Sequence, residues 1–124
     1  MDHANLKAKL DAIFHAHMSA ELAGDLDQTL ATMAPNPHLV NVPTMVGGQG
    51  AAGVRAFYAN RLVGQFFPPD VKFETVSRTY SEERLVDELI ISFTHTNKID
   101  WMLPGVEPTG RFVDVVFVVI VGFE

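Results

Sequence analysis

Apolar residues recur every three to four positions through the first half of this chain and every second position through the rest. Leu6, Leu10, Ile13, Phe14 and His17 fall on one helical face, which predicts an amphipathic helix over residues 4 to about 22. Gly24 breaks it. Asp25 followed by Gln28 has the form of a capping box, and Leu26, Leu30 and Met33 mark a short second helix that Pro35 and Pro37 end. HLVNVPT (38–44) reads as a short strand, at an edge or a bulge because of Pro43. MVGGQGAAG (45–53) reads as a flexible glycine-rich loop. A third helix is predicted over about 51–65, with Val54, Phe57, Tyr58 and Leu62 on its apolar face, and FFPPD (66–70) is a rigid connector.

After Asp70 the period changes to two. VKFETVSRTY (71–80) is a strand, SEER its turn, LVDELIISFTHTNKI (85–99) a long second strand, and residues 111–123 a third. Early helices and late hairpin-connected strands predict an α+β fold, a curved antiparallel sheet with three N-terminal helices on its concave face. No repeat or linker divides the chain, so residues 1–124 form one domain. On the long strand Asp87, Leu89, Ile91, Phe93, His95 and Asn97 point one way. On the last strand both faces are apolar: Phe112, Asp114, Val116, Val118 and Ile120 share one, Val113, Val115, Phe117, Val119 and Val121 the other. One face meets the helices. The other needs a cover, and a second copy of the sheet supplies it, so a homodimer is expected.

Composition narrows the function classes. Hydrophobic residues make up 48% and charged residues 19%, a globular balance. There is no cysteine, which fits a reducing cytoplasm and removes thiolate metal sites. The N-terminus lacks the uninterrupted apolar run of a signal peptide, and Val115–Val121 is far shorter than the roughly 20 residues needed to cross a bilayer. A net charge of −6 without a basic cluster argues against nucleic acid. His15 and His17 are two apart on a helix and do not share a face. No H-x-x-x-H, carboxylate–histidine or cysteine spacing suggests a metal, and the glycine-rich segment lacks the lysine of a phosphate loop, so no cofactor is expected.

Candidate chemistry gathers in FTHTNKIDWMLPGVEPTGR (93–111). It places His95 and Asp100 beside Trp101, the only tryptophan, at the end of an apolar strand. An unperturbed imidazole titrates near about 6.5, so His95 can move a proton at neutral pH or hydrogen-bond a carbonyl. A strand-end histidine bonded to backbone is the alternative. A carboxylate against an indole can act as an acid, but Asp100 also reads as a solvated turn residue before Pro104, and its strand phase opposes His95. Phe93, Trp101 and Met102 line the mouth of the expected pocket or lid the core. The Tyr58 hydroxyl either enters the pocket or forms the wet tip of a core aromatic. Asp87, eight residues and about 27 Å from His95, reads as a solvated strand-start residue. Arg78 and Arg111 could hold an acidic substrate or pair with surface carboxylates.

The Thr94-His95 pair, LPGVEPTGR (103–111) before an apolar strand, and the helix–helix–strand–helix–hairpin order resemble the SnoaL-like polyketide cyclase family. That family belongs to the nuclear-transport-factor-2-like, ketosteroid-isomerase-like superfamily of cone-shaped α+β folds. HLVNVPTMVGGQGAAGVRAFYANRL looks like a bacterial subgroup without assigned function. The resemblance implies a cofactor-independent cyclase or isomerase that transfers a proton next to a carbonyl of a small apolar molecule, or a non-catalytic ligand-binding or dimerisation module. It implies that His95 faces the cone interior. Members continue with a D-G-K-I turn and a final strand carrying an aspartate that often does acid/base work. This chain stops at Gly122-Phe123-Glu124, so the final strand is expected to be missing and that aspartate maps onto no residue here.

Overall fold

A computed structural model describes residues 2–61 and 66–124. Among these, helices α1 (His3–Ala23) and α2 (Leu26–Ala31) precede strands β1 (His38–Asn41) and β2 (Val46–Gln49). Helix α3 (Gly50–Arg61) and strands β3 (Lys72–Tyr80), β4 (Arg84–Thr94) and β5 (Phe112–Gly122) complete the order. Residues 62–65 of the predicted third helix, Leu62 included, lie outside the described residues.

Local chemistry sets the helix ends. Asp2 caps α1 by accepting from Ala4 N–H, and Gly24, in the left-handed conformation at φ 70°, closes it with its own N–H on Ala20 and Glu21 carbonyls. Asp25 Oδ1 accepts from Gln28 N–H at 3.0 Å, so the predicted cap of α2 is formed through the aspartate side chain.

The glycine-rich stretch is not a loop throughout. Val46–Gln49 pairs antiparallel with β1, from His38↔Gln49 to Asn41↔Val46. A Cβ on Gly47 would stand 1.9 Å from the Leu39 carbonyl oxygen, and one on Gly48 2.3 Å from that of Gly53. These glycines therefore let a hairpin lie closely against the start of α3, which composition alone reads as flexibility.

Strands β3, β4 and β5 form an antiparallel sheet in that order. β4 ends at Thr94, five residues short of the expectation. His95 still pairs irregularly: its N–H donates to Arg111 carbonyl (2.8 Å) and its carbonyl accepts from Gly110 N–H (2.9 Å). Gly110, at φ 70°, turns the partner chain out of the ladder there.

The phase of β4 is as read from the sequence. Leu85, Leu89, Ile91 and Phe93 are buried, and the last three pack with Val54, Phe57 and Tyr58 of α3 and with Ile99 and Trp101. Asp87 shares that face and is buried, at 2% exposure, which corrects its reading as a solvated residue. The cause lies on β3, where the register shifts between Thr75 and Ser77. This bulge turns Arg78 inward, and its Nη2 reaches Asp87 Oδ2 at 2.9 Å while Nη1 reaches Asp11 Oδ1 of α1 at 3.0 Å.

On the outer face of β5, Phe112, Val116, Val118 and Ile120 are 65%, 68%, 63% and 63% exposed. No helix among the described residues is long and apolar enough to cross a membrane.

Candidate functional site

His95 sits one position beyond β4, on the helix-covered face, and is 2% exposed. The PTGR segment orients it. Thr109 N–H donates to His95 Nδ1 at 3.2 Å, and the Thr109 hydroxyl lies 3.1 Å from the same atom. A backbone N–H can only donate, so Nδ1 is the acceptor and, in the neutral ring, Nε2 carries the proton, an assignment made from the bond network. Nε2 is buried and has no hydrogen-bond partner among the described residues. PTGR carries part of the family resemblance in the sequence, and in the fold its threonine also fixes the tautomer of the histidine.

The connector 66–70 is fastened beside this point. Both Asp70 carboxylate oxygens accept from Thr94 N–H (3.0 and 3.1 Å), and Oδ2 also accepts from the Thr94 hydroxyl at 2.7 Å. These bonds hold the Asp70 carboxyl below the usual carboxylate range. Phe66 and Phe67 of the same connector pack against the buried core cluster.

The other sequence-predicted residues separate. Phe93 is fully buried, with its ring 6.4 Å from that of His95. Trp101 is a core residue: it stacks on Phe66 at 4.9 Å, meets Phe117 edge-on, and donates its indole N–H to Phe66 carbonyl at 3.1 Å. Met102 is half-buried against the same cluster. Asp100 is half-exposed and lies 3.9 Å from Arg61 of α3, its nearest described charged partner. Asp100 and His95 share no described contact.

Tyr58 joins a second cluster. Its hydroxyl donates to Glu21 Oε1 at 2.6 Å, and His17 Nε2 lies 2.6 Å from the same oxygen. His17 Nδ1 is 2.7 Å from the Thr32 hydroxyl, which itself donates to Thr29 carbonyl at 2.6 Å. Burial first, then the charge and the bond of Glu21, push the Tyr58 pKa far above its ordinary value, so it remains a donor. Glu21 is 7% exposed and lines a cavity of about 540 Å³ together with Phe66, Phe67, Pro68, Val71 and Asn97. His95 is not among the lining residues. The signal for this cluster is present in the sequence: His17 and Glu21 are four apart on a helix and share a face. That is a carboxylate–histidine spacing, and it is missed when His17 is weighed only against His15.

Among the described residues no group of three or more His, Cys, Asp or Glu is placed to hold a metal ion.

No family model matches the chain, and no curated protein matches it. Among solved structures it is similar to a ketosteroid isomerase-like protein from Erwinia carotovora atroseptica SCRI1043, at 18% identity and a TM-score of 0.58, covering 89% of this chain and 76% of that one. At this identity the likeness is one of fold.

Proposed function

We propose that this domain binds a small, apolar, carbonyl-containing molecule and moves a proton next to the carbonyl without a cofactor, in the manner of a polyketide-cyclase-like or isomerase-like enzyme. The Nε2–H of His95 is the group that polarises the carbonyl. The observation that carries the reading is that this donor is buried and has no hydrogen-bond partner among the described residues. Such a group costs about 1–3 kcal/mol, so its retention at the end of an apolar strand is better explained by a ligand than by packing. Phe93, Tyr58, Trp101 and Met102 supply the apolar walls of a cone-like interior, and Asp100, held near Arg61, is the second titratable group. The ketosteroid isomerase-like fold supports a small-molecule role without assigning the reaction. A homodimer packed through the outer face of β5 and a cytoplasmic location complete the proposal.

A second reading, a ligand-binding or dimerisation module without catalysis, is favoured by one observation: His95 does not line the 540 Å³ cavity. Deuterium uptake at the α-carbon of 2-tetralone, followed by NMR in heavy water, separates the two. The enzyme reading predicts acceleration by the protein and a loss of about 100-fold in His95→Gln. No acceleration, or an unchanged rate in the variant, removes His95 from any proton transfer and leaves the binding module.

A further inference from the structure

The geometry points to a second recognition group: Glu21, with His17 and Tyr58 behind it, makes the 540 Å³ cavity a site for a small, neutral, apolar molecule bearing a hydroxyl. The proposal rests on the reading of the domain as a small-molecule binder. It is independent of His95 and of any proton transfer.

The cavity's size falls within the roughly 300–1,000 Å³ typical of ligand pockets. Its described walls combine apolar side chains, Phe66, Phe67, Pro68 and Val71, with polar surface that includes Asn97, and Glu21 is the charged residue among them. Glu21 Oε1 is occupied by Tyr58 and His17. Oε2 has no described partner, and Glu21 is among the residues that line the cavity. An acceptor in such surroundings calls for a donor from the ligand.

The bond network selects a neutral donor. The Thr32 hydroxyl gives its proton to Thr29 carbonyl, so it accepts from His17 Nδ1–H. At 2.6 Å, His17 Nε2 and Glu21 Oε1 require a proton between them. Whichever of the two atoms owns that proton, the His17–Glu21 pair is neutral as a unit. An ammonium ligand would therefore lack a counter-charge among the described lining residues, and a carboxylate would face Glu21 oxygen to oxygen. A hydroxyl meets neither penalty.

The test compares 2-naphthol, naphthalene and 2-(aminomethyl)naphthalene by titration calorimetry and NMR on the intact chain. 2-Naphthol is expected to bind about tenfold more tightly than naphthalene and more tightly than the amine, and to shift the Phe66, Phe67 and Asn97 resonances. Glu21→Met should abolish the preference for the hydroxyl, and Val71→Trp, which fills the cavity from its wall, should weaken all binding. The second variant leaves the cluster intact, so location is tested even if the first does not fold. Equal binding of naphthol and naphthalene, both lost in Val71→Trp, overturns the role of Glu21 and leaves a small-molecule binder. Tighter binding of the amine overturns the neutrality argument. Naphthol binding unchanged in Val71→Trp, or no binding of any probe, overturns the cavity site, while α-proton exchange judges His95 separately.

Discussion

Tyr58 of α3 donates its buried hydroxyl to Glu21 of α1 at 2.6 Å and lies 3.2 Å from His17 Nε2 of the same helix, so one hydroxyl fastens two helices behind the candidate cavity. Tyr58→Phe keeps the ring contacts with Phe57 and Phe66 and removes the hydroxyl bonded to Glu21 and His17. The expected loss is about 1–2 kcal/mol of unfolding free energy, read as a lower urea midpoint at unchanged slope.

Arg78 and Asp87 are register partners on β3 and β4, and the bulge at Thr75/Ser77 brings them together under α1. Arg78→Met leaves Asp87 buried without its cation and should cost about 3–5 kcal/mol. The double variant Arg78→Met/Asp87→Leu should recover a large part of that loss. A double-mutant cycle in urea measures the coupling, and strict additivity of the two single losses would show that the pair is not coupled.

The Asp70–Thr94 bonds predict a pH dependence. The folded carboxyl is held below its ordinary range by hydrogen bonds to the Thr94 hydroxyl and N–H. A depressed folded value means the unfolded chain takes up the proton first as pH falls. The contribution is therefore complete above the ordinary carboxylate range and is lost as pH falls through the lower folded value. In Asp70→Asn the thermal midpoint should fall near neutral pH and decline less steeply into acid than in the wild type. Parallel melting-temperature profiles for the two proteins would contradict this.

The outer face of β5 predicts association. Val116, Val118 and Ile120 form an exposed apolar row, and β4 adds half-buried Ile90 beside Val116. Sedimentation at micromolar concentration should give a dimer for the wild type and a monomer for Val118→Lys. A monomeric wild type contradicts the sheet-face homodimer.

The α+β order, the phase of β4 and both apolar faces of β5 were legible in the sequence because each rests on a period sustained over many residues. The β1–β2 hairpin was hidden because Gly47 and Gly48 signal flexibility by composition, while their use here is close backbone approach. Asp87 was misread because a one-residue bulge reverses which side chains of β3 face inward, and no hydrophobic period reports a bulge. His95 was found from its place on an apolar strand, but its orienting partner Thr109 is 14 residues away and could not be paired with it. Glu21 was missed although its spacing from His17 is local. The Tyr58 bond that completes the cluster spans 37 residues and depends on how α1 and α3 pack.

The most direct measurement of the central claim is the ¹⁵N NMR spectrum of the His95 ring near neutral pH, with and without 2-tetralone. The account predicts a neutral ring protonated on Nε2, with Nδ1 accepting from Thr109, and a shift of the Nε2 resonance when the ketone binds. A ring protonated on Nδ1, or an Nε2 signal that saturating ketone leaves unmoved, would contradict it.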